Sequence, residues 1–181
     1  LFLPYYNKIK SNTAYETEQV AQFRVQMGWR QQYAGLRKLT DCPRGFQVYF
    51  IDNDYYFGTR TGAIYGDMDD GERFAYFSKA CLDAMIALEF TPDVIQCNDW
   101  QTGMIPALLR IQYQHLPFFA PIHTVFTIHN LQYQGIFGIP QVQDILGLGD
   151  SLFTNDKLEC FGCANFMKAG LVYADEITTV S

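Results

Sequence analysis

The chain has 181 residues, 49% of them hydrophobic and 16% aromatic, which excludes a disordered protein and allows one domain with a substantial core. Its formal net charge of -6 and pI of about 4.9 oppose binding to nucleic acid, which requires clustered Lys and Arg. No apolar run approaches the roughly 20 residues that cross a bilayer, so we expect no nucleic-acid partner and no membrane segment.

The first fifty residues are typical of strands. Alternating apolar and polar residues, rich in Val, Phe, Tyr and Gln, predict strands at 18–26, 31–39 and 45–51. A turn at 41–45, which contains Pro and Gly, separates the last two. This part of the chain is predicted to form an antiparallel or mixed edge region of a sheet.

The pattern changes at Asp70, where apolar residues begin to recur at steps of three and four, as in a helix. The predicted elements are a helix from Asp70 to Leu88, strands at 93–97 and 124–128 separated by a helix at 101–112, a long loop, a helix at 157–174 and a strand at 176–180. This alternation predicts a Rossmann-like α/β domain, with a mostly parallel sheet and helices on both faces. Because the G-x-G-x-x-G fingerprint is missing, we expect no dinucleotide cofactor.

Polar side chains follow two of these strands where each strand ends. One strand ends at Asn98, Asp99 and Trp100, and the other ends at His129 and Asn130. Tyr133 and Gln134 follow in the next loop. Ligands of parallel sheets bind beyond the carboxyl ends of the strands, so we expect one shared crevice. Amide and carboxylate groups can hydrogen-bond sugar hydroxyls, and flat aromatic rings suit sugar faces. The set contains no phosphate-binding cation and no metal-ligand cluster, so we expect a sugar-like ligand, no metal and no other cofactor.

Other roles remain open for several residues. Asp99 can instead cap the helix at 101–112, and Trp100 can instead belong to the core. Lys168 lies on the apolar stripe of the helix predicted at 157–174, from which its amine can reach the surface or the crevice. The C-x-x-C spacing of Cys160 and Cys163 occurs in redox and zinc sites, but no second pair or nearby His completes a metal set.

The remaining cysteines and the acidic loop have simpler interpretations. Cys81 and Cys97 lie within apolar segments and are predicted to be core residues, which fits a reducing, cytoplasmic setting. The acidic cluster from Asp67 to Glu72 is either a solvated helix-capping loop or one half of a glycosidase-like carboxylate pair. Both chain ends fall within apolar or β-branched runs, so we expect a domain cut from a longer protein.

Motifs that share one family resemblance run the full length of the chain. They are LPYY (3–6), YFIDNDYYF (49–57), DGERF (70–74), NDWQTG (98–103), FTIHNLQYQG (126–135), NFMKAG (165–170) and ADEITTVS (174–181). With them the chain resembles the N-terminal domain of bacterial glycogen synthase and plant starch synthase, which are retaining glucosyltransferases of the GT-B fold. The His-Asn-Leu-x-Tyr-Gln-Gly run is the most specific of these matches.

The resemblance implies an enzyme that moves glucose from ADP-glucose to the non-reducing end of an α-1,4-glucan. It makes His129 the active-site histidine beside the transferred glucose. Substrate-binding roles are expected for Asp99, Trp100, Asn130, Tyr133, Gln134 and Lys168. The family often has a Tyr in the acidic loop, and both Tyr65 and Asp67 compete for that place.

The resemblance also predicts what residues 1–181 lack. They are expected to form a single Rossmann-like domain without the family's first strand, its Lys-x-Gly-Gly loop and the C-terminal donor-binding domain. We therefore expect the acceptor side of the cleft and no activity from this part alone. Another GT-B sugar-nucleotide transferase and a non-catalytic carbohydrate-binding domain remain alternatives, and ADP-glucose against UDP-glucose is open. A bacterial cytoplasmic location is favoured over a plastid.

Overall fold

A computed structural model describes residues 1–180, so Ser181, the last residue of the predicted domain, lies outside the described residues. The strands are β1 Phe2–Pro4, β2 Thr17–Met27, β3 Arg30–Leu39, β4 Tyr49–Asp52, β5 Val94–Asn98, β6 His123–Ile128, β7 Ile136–Phe137, β8 Glu159–Cys160, β9 Cys163–Asn165 and β10 Glu176–Thr179. The α-helices are α1 Asn7–Lys10, α2 Asp70–Ala87, α3 Asp99–Thr102, α4 Met104–Leu108, α5 Ile139–Leu146 and α6 Phe166–Tyr173. Every helix among residues 1–180 is too short or too polar to span a bilayer.

The first sheet has the order β1-β4-β3-β2. β1 pairs with β4 in parallel, whereas the β4–β3 and β3–β2 pairs are antiparallel, which confirms the predicted mixed region. The strand predicted at 45–51 begins only at Tyr49, because Gly45 has a positive φ of 82° and extends the preceding turn. The tip of the β2–β3 hairpin lies against α5, where a Cβ on Gly28 would stand 2.0 Å from the Asp144 carbonyl oxygen.

The second sheet is parallel, with the order β10-β6-β5. Its β5–β6 register places Asn98 beside Thr127, so the carboxyl ends of these strands meet at one edge. At the opposite end, the Asp175 carboxylate accepts hydrogen bonds from Thr124 N–H at 2.7 Å, from Thr124 Oγ1 at 3.0 Å and from Arg110 at 2.7 Å. Desolvation acts to raise the pKa of Asp175, but these hydrogen bonds and the Arg110 charge together hold it below its ordinary value.

Helix α2 confirms the stripe predicted from Asp70. Phe74, Phe77, Cys81 and Ala84 of the predicted stripe are buried, whereas Leu88 is only half-buried and follows the last helical residue, Ala87. The helix packs against β2, β4, α4 and α5. The aromatic side chains that it meets include Tyr56 and Phe57, both without exposed surface. Burial of each such side chain stabilises the fold by roughly 1.5–3 kcal/mol.

The predicted helix at 157–174 was too long. Residues 159–165 instead form β8 and β9, and α6 begins only at Phe166. The reason is local, because Phe161 and Gly162 both have positive φ and make a tight two-residue turn. β7, β9 and β8 together form a small antiparallel sheet.

Two further differences concern helix boundaries. The predicted long loop contains α5, whose Pro140 at its start and left-handed Gly147 at its end are ordinary helix signals. The helix predicted at 101–112 is divided into α3, α4 and a π-helical turn at Leu109–Tyr113. The division falls near Pro106, which has no N–H to bond the preceding turn.

A groove separates the two larger sheets, which share no strand pair among residues 1–180. Its volume is about 630 Å³. β1 lies on one side, β5 lies on the other, and Phe77, Cys81 and Met85 of α2 contribute to its lining. The single sheet predicted from the sequence is therefore divided in two. The strands predicted to be parallel, β5, β6 and β10, stay together, whereas the mixed edge region forms a sheet of its own, and the edge strands β1 and β5 face this apolar groove.

Candidate functional site

The residues predicted at the two strand ends come together in the structure. Asp99 begins α3 directly after β5, and His129 and Asn130 follow β6. The Asp99 Oδ1 atom accepts hydrogen bonds from the backbone N–H of His129 at 2.7 Å and of Asn130 at 3.1 Å. The carboxylate thus holds the main chain of the His-Asn pair.

The His129 side chain is exposed and has one fixed side. Its Nε2 lies 2.9 Å from Asn98 Oδ1. Because an amide oxygen can only accept, Nε2–H is the donor in this contact. In the neutral ring Nδ1 is then an acceptor. Asn98, at the end of β5, therefore orients the imidazole, and sequence reasoning had assigned it no such role.

The backbone at Asp99 is strained. Its φ of 54° lies in the left-handed region, which costs an L residue about 1–2 kcal/mol, although Asp and Asn tolerate it better than most. Thr102 secures the turn, since its hydroxyl accepts from Asn98 N–H at 2.6 Å and donates to the Asn98 carbonyl at 2.7 Å. The Asp99 side chain does not cap α3, which was the alternative role predicted for it. Its Oδ1 atom instead bonds backbone amides at the end of the neighbouring strand, β6.

Trp100 lies beneath the loop that follows His129. It is 5% exposed and packs edge-to-face on Phe74 at a centroid distance of 5.0 Å. Gly135, with a φ of 63°, passes directly over the indole, and a Cβ there would stand 2.4 Å from it. The structure therefore places Trp100 among the core residues, where it supports the loop.

An exposed aromatic pair lies beside this loop. Tyr133 is 49% exposed, and its ring contacts Tyr65 at a centroid distance of 6.1 Å. Tyr65 also meets the edge of Trp100 at 6.4 Å. Asp67, in contrast, pairs with Arg60 and Arg73, each at 3.0 Å. Of the two candidates in the acidic loop, Tyr65 is the one that lies at the site.

Gln134 connects the loop to the start of α6. Its Oε1 accepts from Asn165 Nδ2 at 2.8 Å, and its backbone carbonyl accepts from Met167 N–H at 3.0 Å. Asn165 is buried and also caps α6, with Oδ1 accepting from Lys168 N–H at 2.8 Å. Asn165 is a supporting residue that sequence reasoning missed, although an Asn just before a helix was the available signal.

Lys168 is not brought into the crevice. Its Nζ donates to the backbone carbonyls of Asn155 and Glu159, each at 2.5 Å. These contacts fix the loop that leads into β8. The sequence left both the surface and the crevice open as directions for the Lys168 amine. The structure shows the amine turned away from the crevice, toward the loop before β8.

The acidic loop is a structural ion-pair cluster. Asp67, Asp69 and Asp70 lie close enough to share a cation, but Arg60 pairs with the first two and Arg73 with Asp67 and Asp70. Arg73 is completely buried. The guanidinium groups already supply the positive charge that a metal would bring, so the geometry does not favour a metal site or a catalytic carboxylate pair.

The assembled crevice offers hydrogen-bonding groups and aromatic surface. His129, Asn130 and Tyr133 belong to the loop that follows β6, and Tyr65 contacts this loop through Tyr133. None of these groups carries a formal positive charge when the imidazole is neutral. Such a set can orient a polyhydroxylated ligand through hydroxyl contacts and ring stacking. It has no cation to balance a phosphate.

Comparisons with known proteins agree on one family. The family profile of the starch synthase catalytic domain matches residues 1–181. A glycogen synthase of Exiguobacterium sibiricum is 51% identical over 183 residues, and one of Geobacillus stearothermophilus is 49% identical over 181; these matches cover 100% of this chain but 37% and 36% of the relatives. The chain thus spans little more than a third of the curated relatives it matches.

A solved structure supports the same assignment. The catalytic domain of starch synthase IV from Arabidopsis thaliana, bound to ADP and acarbose, aligns with a TM-score of 0.86 and 26% identity. The alignment covers 99% of this chain and 37% of that one. The predicted α/β fold class, a Rossmann-like domain of the GT-B type, is confirmed.

Proposed function

Since the chain belongs to the family of starch synthase catalytic domains, we propose that it is the acceptor side of a retaining glucosyltransferase. The enzyme transfers glucose from ADP-glucose to the non-reducing end of an α-1,4-glucan, in the bacterial cytoplasm. The observation that carries the proposal is the exposed His129–Asn130 pair, fixed by Asp99 at the carboxyl edge of β5 and β6. The relatives named glycogen synthase come from bacteria.

In this proposal His129 is the catalytic residue that contacts the transferred glucose. Its ring is already oriented by Asn98, so little freedom is lost when a sugar binds. The Nδ2 atom of Asn130 and the Oδ2 atom of Asp99 hydrogen-bond sugar hydroxyls. The Oδ1 atoms of both residues already accept from backbone N–H groups, that of Asn130 from Gln132 at 3.0 Å. Tyr133 offers its exposed face to a glucan ring.

The other predicted binding residues are better supported as positioning residues. Trp100 holds Gly135 from below, and Gln134 fastens the same loop to Asn165. Lys168 fixes the loop before β8. Each acts on the substrate only through the loops that it holds.

The donor diphosphate needs positive charge that this crevice lacks. Retaining transfer develops positive charge on the glucosyl group while the diphosphate leaves, and both must be stabilised together. We propose that cationic groups elsewhere in the full-length polypeptide, in a C-terminal domain, supply this stabilisation. In support, the matches cover only 37% and 36% of two such relatives, so most of each relative lies outside the part that this chain matches. Residues 1–181 alone are expected to transfer no glucose.

The groove between β1 and β5 supports a further part of the same proposal. Each of these strands has an edge without a strand partner among the described residues, and the space between them is apolar. We propose that a strand of the same polypeptide, preceding Leu1, pairs with both edges and joins the two sheets. A polypeptide extended to include that strand should unfold at higher denaturant concentration and with a larger m-value than residues 1–181.

The test of the function uses the full-length polypeptide with labelled ADP-glucose, labelled UDP-glucose and glycogen. We expect transfer from ADP-glucose and a loss of about 10²-fold or more in kcat for His129→Ala. His123→Ala is the matched control, since His123 is also exposed but lies at the opposite end of β6. It should keep normal activity.

Two outcomes would contradict the proposal. If His129→Ala and His123→Ala were equally active, the assignment of His129 would be wrong. If neither donor were used while residues 1–181 alone bound glycogen tightly, the non-catalytic carbohydrate-binding alternative would replace the transferase. Use of UDP-glucose in place of ADP-glucose would leave the transferase but change its donor.

A further inference from the structure

The hairpin β8–β9 places two cysteines directly opposite each other. Cys160 ends β8, Cys163 begins β9, and the two are register partners across an antiparallel pair. The turn between them consists of Phe161 and Gly162, with φ values of 52° and 79°. Positive φ at both central residues is typical of the type I′ turn, which matches the twist of a hairpin and keeps its flanking residues in register.

This geometry brings the two thiols within reach of a disulfide bond. Side chains of directly opposed residues project from the same face of the ladder, with Cβ atoms about 4.5–5.5 Å apart. A disulfide joins Cβ atoms about 3.5–4.5 Å apart. Closing the bond therefore requires the Cβ atoms of Cys160 and Cys163 to approach by only about 1 Å, at some strain in the hairpin.

Both cysteines also keep some exposed surface. Cys160 and Cys163 are half-buried, and neither sulfur takes part in a hydrogen bond within the part of the chain that the structure describes. The Phe161 side chain at the tip of the turn is completely exposed, so nothing in residues 1–180 covers the hairpin end. A small disulfide reagent can approach from this side.

The other cysteines differ in ways that predict slower reaction. Cys81 and Cys97 are buried in the core, where burial raises the pKa of both thiols, that of Cys97 to about 12. The reactive thiolate is therefore scarce at both positions. The Cys42 sulfur lies in a contact with the Leu39 carbonyl at 3.8 Å and has no cysteine register partner.

We propose that Cys160 and Cys163 form a reversible intramolecular disulfide by exchange with a low-molecular-weight disulfide such as glutathione disulfide. One cysteine thiolate attacks a glutathione sulfur, forming a mixed disulfide and releasing one glutathione thiolate. The second cysteine thiolate then attacks the protein sulfur of the mixed disulfide and releases the second glutathione as a thiolate. The protein pair is oxidised by two electrons, one glutathione disulfide is reduced to two thiols, and the two cysteine protons pass to solvent or to the products.

The site is independent of the proposed glucosyltransferase, since the reaction involves only the hairpin thiols. It is nevertheless structurally adjacent to the His129 loop, because β9 also pairs with β7, with Ala164 beside Phe137 and Asn165 beside Ile136. Closing the disulfide strains the hairpin, so excess reduced glutathione should open the bond readily, as expected of a labile rather than a structural disulfide.

The test is a thiol analysis of the native protein. It is incubated with defined ratios of oxidised and reduced glutathione, denatured in N-ethylmaleimide and digested with trypsin. Cleavage after Lys157 and Lys168 releases both cysteines in the single peptide 158–168. We expect this peptide to lose two hydrogen atoms in one step as the ratio rises, and to carry two maleimide groups when reduced. The peptide 80–110, which contains both Cys81 and Cys97, should remain fully alkylated.

Cys163→Ser and Cys42→Ser are the matched variants. Cys163→Ser leaves Cys160 without its partner and should accumulate the glutathione adduct, whereas Cys42→Ser should behave as the unaltered protein does. Two glutathione adducts on the unaltered peptide, or two maleimide groups at every ratio, would overturn the proposal. Loss of transferase activity in any variant has no bearing on it, since the readout is the mass of one peptide.

Discussion

Asp99 provides the sharpest test of how the site is held together. Its carboxylate accepts two backbone N–H groups, at 2.7 and 3.1 Å, while its own φ is 54°. A hydrogen bond to a charged group contributes about 1.5–3 kcal/mol. Because His129 and Asn130 are exposed and water can replace the acceptor, we expect Asp99→Ala to lose about 1–2 kcal/mol from both bonds together.

The left-handed backbone adds a second contribution that separates the variants. Ala in this conformation costs about 1 kcal/mol more, giving about 2–3 kcal/mol in total for Asp99→Ala. Asp99→Gly loses the same bonds but is unstrained, so it should be milder than Ala by about 0.5–1 kcal/mol. Asp99→Asn tolerates the backbone and keeps a neutral acceptor, and we expect it to cost only about 0.5–1 kcal/mol.

The assay is urea unfolding followed by far-ultraviolet circular dichroism, with unchanged m-values as the check that only stability has moved. Asp93→Ala is the control, because Asp93 is an exposed carboxylate at the other end of β5 and should shift stability by less than about 0.5 kcal/mol. Equal loss for Asp99→Gly and Asp99→Ala would refute the strain argument. Equal loss for Asp99→Asn and Asp99→Ala would refute the acceptor argument.

Three further predictions concern stability. Gly135→Ala places a methyl group against the Trp100 indole and should lower the free energy of unfolding in urea by about 2–4 kcal/mol. Gly62→Ala is the control, because Gly62 has open space around it and the substitution should leave stability nearly unchanged. Asp175 has a lowered pKa, so its stabilisation is complete above the ordinary Asp pKa of 3.8 and is lost as pH falls through the folded value. The stability difference between the unaltered protein and Asp175→Asn should therefore be constant above about pH 5 and shrink below about pH 4; a difference that grew in acid would show the sign to be wrong. Arg73→Met removes the ion-pair partner of the buried Asp70 carboxylate and should lower the free energy of unfolding by about 3–5 kcal/mol, measured by calorimetry or urea unfolding. A loss below about 1 kcal/mol would refute the claim that the Arg73–Asp70 pair stabilises the fold.

Periodicity and strand-end polarity carried most of the sequence prediction. The stripe through Phe74, Phe77 and Cys81 is a local pattern, and it was sufficient to identify a helix. It did not show that α2 is buried on nearly all sides, with Tyr76 and Lys79 buried as well. The placement of Asp99 near His129 followed from the rule that parallel strands end at one edge, and the β5–β6 register agrees with it.

The errors came where a few residues overrode the surrounding pattern. Apolar residues between 158 and 171 fit a helix, but two residues of positive φ, Phe161 and Gly162, commit the chain to a hairpin instead. Sequence could not show that the Asp99 carboxylate faces amides some thirty positions away, because only the fold brings them together. For the same reason it could not choose between Tyr65 and Asp67.

The burial of Trp100 also gives the molecule an optical reporter. The chain has two tryptophans, and the other, Trp29, is 78% exposed at a hairpin tip, where its indole N–H donates to the exposed Asp144. Trp29→Phe would therefore leave a single dry indole directly under Gly135. Any ligand that lifts or settles the segment from His129 to Gly135 changes the surroundings of that ring. Its emission wavelength and quenching thus report movement of the loop in solution without an added dye.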